Sequence, residues 1–421
     1  MLELMMFTGA IIVAAVIYLL AKGHEVRAVL IGAGILMAFI GGAPLQALDA
    51  FAKNMTNAGL IKAVCSCMGF AMVMRFTGCD KHMINAMTGV ISKARLLLIP
   101  GVVIGTFLVN IALPSAAGTA AAAGAIFIPL LMGAGVHPAL AAAAVKCGTY
   151  GSMLNPGYAH NSFVAKIAGV EVMEVIGFHY AANIAALFTA MVAITAVGYL
   201  MHEEKGYAAE GLEIKKDFKI NCLYALMPVL PIGILLLGAT KLIPILKMDV
   251  PHAMIIGTLV ALVVTRTKPA DISKAFFDGM GLAYGSIIGI IIAAGVFVAG
   301  LTAIGLVRAF IESMMNNPVI VKICAAVGPF LLGLLTGSGD AATFAFNEAV
   351  TPHAEEFGMS IVQMGSMATL GGTLGRTISP IAGATIICAG FAGVNPLDIT
   401  KRNGIPVLLA LIVGTFFLVQ G

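Results

Sequence analysis

The residues from Gly371 to Pro380 combine features that rarely occur together in an apolar tract. They read Gly-Gly-Thr-Leu-Gly-Arg-Thr-Ile-Ser-Pro. A charge at membrane depth costs at least about 2.5 kcal/mol, and irregular backbone persists there only where it is buried in protein or lines a watery cavity. We therefore expect a break in a discontinuous helix here. Arg376 would meet an anion, holding a carboxylate through two parallel hydrogen bonds.

Arg376 has a second explanation, in which it pairs with Asp340 or Glu348 and holds helices together. The glycines and hydroxyls beside Arg376 have no evident packing role in the sequence, which favours the binding function. Asp340 follows Thr336-Gly337-Ser338-Gly339. It could coordinate Na⁺ with backbone carbonyls, carry a proton, or cap the next helix. For Glu348, pairing is favoured over substrate contact.

The elements that position these residues must lie in a membrane, because the chain is too apolar for a soluble protein. Of its 421 residues, 60% are hydrophobic and 10% are charged, and the mean hydropathy is +1.02. This composition indicates an all-α polytopic membrane protein surrounded by lipid. The basic residues lie in short loops, so the net charge of +4 does not indicate nucleic-acid binding.

Apolar runs predict the spanning helices, which fall near residues 4–21, 26–42, 58–77, 172–200, 222–240, 250–265, 282–304 and 404–420. Two amphipathic pieces, 44–57 and 269–280, are typical of interfacial helices. The tracts 95–133 and 318–356 are interrupted near Pro114 and Gly337, and each predicts either a re-entrant hairpin or a pair of spans. The segments 137–168 and 361–392 each contain a break, at Gly148–Gly157 and at Gly371–Pro380.

The second half of the chain repeats the first. Gly148-Thr149-x-Gly151…Pro156 matches Gly372-Thr373-x-Gly375…Pro380 at one constant offset (372 − 148 = 224), and Pro44 matches Pro269 at nearly the same offset (269 − 44 = 225). This regularity predicts an internal duplication. Residues 1–200 would form the first repeat, 201–221 a cytoplasmic linker and 222–421 the second repeat.

The distribution of basic residues predicts the orientation of the two repeats. Loops on one predicted face, which include 75–95, carry fifteen Lys and Arg against seven on the other. The positive-inside rule makes the first face cytoplasmic and places both termini in the periplasm. Each half is predicted to contain five spans, a re-entrant hairpin and a broken helix. Because five is an odd number, the second repeat would be inverted relative to the membrane.

Inverted repeats with broken helices are typical of secondary transporters, whose site lies near the bilayer midplane. Half-helix N-termini offer free N–H groups to an anionic substrate there. The candidate substrate contacts are Ser115, Thr119, Lys146, Asn155, His160, Asn161, Ser338, Gly339, Arg376, Thr377 and Ser379. The candidates for a coupling ion or proton are Gly118, Gly337, Asp340 and Glu348.

Lys146 is the second basic residue predicted at depth. It lies about nine residues, some ~14 Å, into its span. It could contact a second carboxylate, or act as a displaceable partner for Asp340 or Glu348. His160 could be a cavity histidine or a proton relay. Ser152 takes the position of Arg376 in the first repeat (376 − 152 = 224), so we expect an asymmetric cradle.

Several motifs of the second half carry a family resemblance: Ala293–Phe297, Gly300–Gly305, Thr336–Gly339, Leu374–Pro380 and Lys401–Arg402. In order and spacing they resemble the DcuC-type anaerobic C4-dicarboxylate carriers of the ion-transporter superfamily. The resemblance implies uptake, exchange or efflux of succinate, fumarate, malate or aspartate. It also implies a scaffold domain, a mobile transport domain and a homodimer in a bacterial inner membrane.

The first half departs from that family's pattern. Gly157-Tyr158-Ala159-His160-Asn161-Ser162 stands where a short Ser/Gly/Asp tract is expected, Lys146 stands where an uncharged residue is expected, and Pro114 opens the first hairpin tip. We expect these differences to affect which substrate is bound more than they affect the fold.

We therefore expect a secondary active transporter of small dicarboxylates that works by alternating access of an elevator-like domain. It would need no cofactor other than Na⁺ or H⁺ as a coupling ion. The same architecture could instead move a citrate-like anion or act as an ion/proton antiporter. The sequence has no His-Glu-x-x-His or Gly-x-Ser-x-Gly motif and no cysteine spacing typical of zinc, so we expect neither an enzyme nor a metal site.

Overall fold

A computed structural model of the chain describes residues 2–22, 24–56, 58–91, 97–207, 218–239, 245, 247–309 and 318–420. Within these ranges the regular structure is entirely helical, and no residue is in a β-strand. The prediction of an all-α protein is confirmed. The predicted linker, 201–221, lies partly outside the described residues.

Ten α-helices precede the linker among the described residues: α1 (Leu2–Ala21), α2 (Val26–Ile40), α3 (Pro44–Met55), α4 (Ala58–Thr77), α5 (Cys79–Ile91), α6 (Leu98–Ala112), α7 (Ala116–Gly133), α8 (Pro138–Cys147), α9 (Ala159–Ala168) and α10 (Val172–Leu200). A short 3-10 helix, Gly151–Leu154, separates α8 from α9.

The helices after the linker are α11 (Cys222–Leu226), α12 (Leu230–Ala239), α13 (Val250–Thr265), α14 (Pro269–Ala283), α15 (Gly289–Ala303), α16 (Pro318–Thr336), α17 (Gly339–Ala349), α18 (Ile361–Ile378), α19 (Gly383–Ala392) and α20 (Pro396–Gln420). Two 3-10 helices, Met227–Val229 and Thr351–Phe357, a π-helical turn, Tyr284–Ile288, and a short helical segment, 306–309, also lie in this part of the chain.

Five helical segments among the described residues are long and apolar enough to span a membrane. They are Ala116–Gly133, Val172–Leu200, Pro269–Ala303, Ile361–Ala392 and Pro396–Gln420. A sixth is obtained if α4 and α5, which meet at an angle of 77°, form one bent span. Several shorter apolar helices accompany them, so the prediction of a polytopic membrane protein holds.

The structure differs from the predicted elements at α5 and α14. The sequence predicts a loop over 75–95, but helix α5 occupies Cys79–Ile91 after a turn at Gly78, whose φ of 73° favours glycine. The sequence also separates an interfacial piece, 269–280, from the next span. In the structure α14 continues into α15 through the π-helical turn, because no proline or other break interrupts the ladder.

Helices α2, α3, α4, α14 and α15 pack on one another and form the first helix group. Glycines allow the close crossing of α2 and α15. A Cβ atom on Gly34 would lie 2.4 Å from the carbonyl oxygen of Val296, and one on Gly300 would lie 2.3 Å from that of Gly34. Small residues at helix contacts are a common way for membrane helices to associate.

Helices α6 to α10 and α16 to α20 form the second helix group, in which α16 packs along α18. A Cβ atom on Gly371 would lie 2.0 Å from the carbonyl oxygen of Ala326, and one on Gly375 would lie 2.1 Å from that of Phe330. These glycines therefore have a packing role, contrary to the interpretation from the sequence. Helix α18 continues through them to Ile378, so the break is confined to residues 379–382.

A buried ion pair joins the two longest helices of the second group, α10 and α20, at one end. Arg402 of α20 donates to both carboxylate oxygens of Glu203, which follows α10, with Nε at 2.6 Å from Oε2. The side chains of Arg402 and Glu203 are 9% and 6% exposed. Two hydrogen bonds in one plane fix the relative position of these helices at that end.

Candidate functional site

A cavity of about 320 Å³ lies between the two helix groups. That is the bulk volume of about ten water molecules. Val64 and Met68 of α4 line one side, together with Leu282, Ser286, Ile287 and Ile290 of the continuous α14–α15 helix. The other side is formed by the interrupted elements of the second helix group. The cavity is thus bounded by continuous helices on one side and by chain breaks on the other.

Four helix N-termini of the second group reach this cavity. The lining includes Ser115–Ala117 at the start of α7, Tyr158–His160 at the start of α9, Ser338–Asp340 at the start of α17, and Gly383 and Ala384 at the start of α19. Each N-terminus presents unpaired N–H groups and the positive end of a helix dipole. Their convergence makes the cavity favourable for an anion.

Two of the four N-termini are capped by serine. The Ser115 hydroxyl accepts a hydrogen bond from the Gly118 N–H at 3.1 Å, and the Ser338 hydroxyl accepts one from the Ala341 N–H at 3.3 Å. Gly337 makes the turn before α17 with a φ of 70°. In both hairpins the tip is therefore a tight turn whose capping serine also faces the cavity.

The N-termini of α9 and α19 have no side-chain cap, so their first N–H groups are available to a ligand. The backbone leading into α9 is held by two buried asparagines. Asn155 donates to the Ile111 carbonyl at 2.5 Å and accepts from the Gly157 N–H at 2.6 Å. Asn161 donates to the Met153 carbonyl at 2.7 Å. Both side chains maintain the break and do not line the cavity.

The two breaks use matching contacts, which the sequence analysis did not identify. The Asn403 amide donates to the Thr377 carbonyl at 2.9 Å, and His179 Nε2 lies 2.9 Å from the Met153 carbonyl oxygen. The two side chains occupy equivalent positions in the repeats (403 − 179 = 224), as do the two carbonyls (377 − 153 = 224). The same repeat offset that matched the glycine motifs would have identified His179 and Asn403.

A second matched pair lies nearby. The Thr385 hydroxyl donates to the Ser379 carbonyl at 2.6 Å, and Asn161 donates to the Asn155 carbonyl at 3.1 Å. The two donors of this pair again keep the repeat offset (385 − 161 = 224). In both breaks, a backbone carbonyl without a helical partner thus accepts a hydrogen bond from a side chain of the helix that follows the break.

Arg376, Asp340 and His160 meet at the cavity. One carboxylate oxygen of Asp340, Oδ1, lies 3.0 Å from His160 Nε2 and 3.6 Å from Arg376 Nη1. Arg376 Nη2 lies 3.5 Å from the Thr149 carbonyl oxygen, and its Nε is buried without a hydrogen-bond partner. The guanidinium thus has hydrogen-bonding capacity that these contacts do not use.

His160 is held rigidly by aromatic neighbours. Its ring stacks on Phe344 at a centroid distance of 4.1 Å and meets the edge of Tyr158 at 4.8 Å. Only 1% of the residue is exposed. Tyr158 also lines the cavity, although the sequence analysis did not select it. Its position beside the first break could have indicated that Tyr158 lies at the site.

Lys146 lies behind Arg376 and outside the cavity lining. It is fully buried, and its Nζ donates to the backbone carbonyl of Arg376 at 3.1 Å. The predicted depth is consistent with this burial. In this arrangement Lys146 touches the residue expected to hold the substrate, and its direct contact with a carboxylate stays a prediction.

The remaining predicted residues also lie outside the cavity lining. The Thr119 hydroxyl donates to the Leu113 carbonyl at 3.1 Å, beside Gly118 in the first turn of α7, and the Thr377 hydroxyl donates to the Thr373 carbonyl at 2.9 Å. The Ser379 hydroxyl is buried without a partner. Glu348 lies near the end of α17. Of the predicted residues, the structure gathers Ser115, His160, Gly337, Ser338, Gly339, Asp340 and Arg376 around the cavity.

Comparisons with known proteins identify a family of transporters. Residues 50–421 match the family model described as the C4-dicarboxylate anaerobic carrier. A probable anaerobic C4-dicarboxylate transporter of Vibrio cholerae is 25% identical, with 100% of this chain and 98% of the relative covered. The anaerobic C4-dicarboxylate transporter of Escherichia coli K12 is 24% identical, with 96% and 94% covered.

Two further matches concern an uncharacterized relative and a solved structure. An uncharacterized transporter of Haemophilus influenzae is 42% identical over 63% of this chain and 100% of its own length. The crystal structure of the YdaH transporter of Alcanivorax borkumensis has a TM-score of 0.64 at 15% identity, with 89% of this chain and 88% of that one covered. This last likeness supports the fold alone.

Proposed function

Because the chain belongs to the DcuC family of anaerobic C4-dicarboxylate carriers and is thus a transporter rather than an enzyme, we propose that it carries small dicarboxylates such as succinate, fumarate, malate or aspartate. The observation that carries this proposal is the position of Arg376. Its guanidinium lines a cavity at which four helix N-termini converge. A dicarboxylate has two anionic ends, and the cavity offers one charged clamp and several uncapped amides.

The two ends of the substrate are bound differently in this proposal. One carboxylate pairs with the Arg376 guanidinium, which lines the cavity, and the other takes the free N–H groups at the starts of α9 and α19. Ser115 and Ser338 are placed to add hydrogen bonds when their caps rearrange. Na⁺ or H⁺ remains the proposed coupling ion, with Asp340 near the site.

Alternating access follows from the position of the cavity between the two helix groups. We assign α2, α3, α4, α14 and α15 to a scaffold, and the second helix group to an elevator-like transport domain that carries the breaks. The scaffold side of the cavity is largely apolar, which suits a sliding surface. The same proposal includes an internal duplication with an inverted second repeat. It also includes a homodimer in the inner membrane with both termini in the periplasm.

Reconstitution tests this function directly. The purified protein would be placed in liposomes, and labelled succinate flux measured with a Na⁺ gradient, with a proton gradient, and with fumarate inside. We expect flux in at least one condition and competition by fumarate and malate. Flux of a citrate-like anion, with none of any C4 dicarboxylate, would contradict the proposal and support the same fold with another substrate.

A further inference from the structure

We propose that Asp340 takes the place of a substrate carboxylate beside Arg376 when the site is empty, and thereby allows the unloaded carrier to reorient. The inference rests on the proposed transport function and concerns a step that the binding site alone does not explain. A carrier that returns empty must move Arg376 past an apolar surface without the anion that normally neutralises it. Asp340 supplies that anion from within the chain.

The pairing of Asp340 with Arg376 is loose enough to be displaced. Asp340 Oδ1 lies 3.6 Å from Arg376 Nη1, which is within ion-pair distance but too long for a hydrogen bond. A substrate carboxylate could instead make two parallel hydrogen bonds to the guanidinium, the stronger arrangement. Nη1, the guanidinium atom that Asp340 faces, provides one of the donors once Asp340 is displaced.

His160 provides a second partner that keeps Asp340 stable after displacement. Asp340 Oδ1 lies 3.0 Å from His160 Nε2, and the imidazole is fixed by its stack on Phe344. The carboxylate can therefore leave Arg376 without losing every contact. It also lies in the first turn of α17, where the helix dipole favours a negative charge.

Exposure indicates which member of the pair can move. The Asp340 side chain is 30% exposed and lines the cavity, whereas that of Arg376 is 12% exposed and its backbone carbonyl is held by Lys146. An entering carboxylate would therefore displace Asp340 and leave Arg376 in place. Arg376 is neutralised in both states, by Asp340 when empty and by substrate when loaded.

The test separates two transport modes in the same liposomes. Exchange is measured as labelled succinate leaving against external unlabelled succinate, and net flux as its exit into substrate-free buffer at a clamped membrane potential. In Asp340→Asn we expect net flux relative to exchange to fall about tenfold or more, the scale expected when a charge in an apolar interior loses its partner. The half-saturation concentration for exchange should also fall, because the internal competitor is gone.

Asp340→Glu is the matched variant. It keeps a carboxylate, so its ratio of net flux to exchange should stay closer to that of the unmodified protein. An unchanged ratio in Asp340→Asn would overturn the inference, as would equal loss of both modes in a monodisperse protein. Absence of exchange in the unmodified protein would instead contradict the proposed function itself.

A second variant decides the question if Asp340→Asn does not yield a folded protein. His160→Leu removes the group that draws Asp340 away from Arg376, so Asp340 should compete more strongly with substrate. We expect the half-saturation concentration for succinate exchange to rise several-fold. A half-saturation concentration that stays the same or falls would overturn the inference.

Discussion

Lys146 and Arg376 come from opposite halves of the chain, and Lys146 Nζ donates to the Arg376 backbone carbonyl at 3.1 Å. The contact joins the end of α8 to the last turn of α18, so each break stabilises the other. The site is therefore supported by a cross-repeat hydrogen bond between a buried lysine and a carbonyl in the last turn of a helix, which has no partner within the helix.

Replacement of Lys146 tests whether it acts through Arg376. In Lys146→Met the Arg376 carbonyl loses its donor, which should cost about 1–3 kcal/mol and lower the succinate transport rate. Lys146→Gln can still donate and should retain more transport. A reduced preference for succinate over its monomethyl ester in both variants would contradict this role and show that Lys146 reaches the second carboxylate.

Arg376→Lys tests the carboxylate clamp. Lysine keeps the charge but cannot make two parallel hydrogen bonds, so we expect succinate transport to fall by about 30-fold or more, equivalent to a loss of ~2 kcal/mol. The variant should remain membrane-inserted and monodisperse. Arg266→Lys, at the end of α13 and outside the cavity lining, is the control and should transport normally. Normal uptake by Arg376→Lys would rule out the clamp.

The glycines of α18 can be tested for their packing role. Gly375→Ala places a Cβ atom 2.1 Å from the Phe330 carbonyl oxygen, so α16 and α18 must separate. Overpacking of this kind costs about 1–3 kcal/mol. Gly390→Ala in α19 meets no atom within 4 Å and should be neutral or stabilising. The thermal unfolding midpoints in detergent would check this, and equal midpoints would show that the crossing is not tight.

The ion pair of Arg402 and Glu203 predicts strong coupling. Removing one partner alone, as in Glu203→Gln or Arg402→Met, leaves a buried charge or polar group and should cost about 3–5 kcal/mol. The double variant should be more stable than the sum of the single effects predicts. A double-mutant cycle of unfolding midpoints measures this coupling, and simple additivity would show that the pair contributes little.

The sequence located the first break, the start of the second and several cavity residues, because each violates an expectation for an apolar helix. Arg376, Asp340 and the proline–glycine interruptions stand out in this way. The contacts that these side chains make could not be predicted, because they join residues far apart in the chain. Asp340 and His160 are 180 residues apart, and Lys146 meets a backbone carbonyl, which has no side-chain signature.

The local structure of α18 shows a different reason for error. Three glycines and a threonine suggest a broken helix by propensity, yet the helix continues because those glycines fit against the backbone of α16. Tertiary packing outweighs propensity there. Helix α5 was not predicted because of its polarity. Its thirteen residues include enough polar side chains to resemble a loop.

Because matched positions of the two repeats carry different residues, the two ends of the cavity are not equivalent. Arg376 faces the cavity from α18, whereas Ser152, its counterpart in the first repeat, lies buried in the first break. In the proposed carrier the two carboxylates of a diacid meet unlike partners. Succinate looks the same after its ends are reversed, so it has two equivalent ways to bind. Malate has two unlike ways, which place its hydroxyl at opposite ends of the cavity. The site can therefore distinguish the two ends of a substrate that differ by a single oxygen.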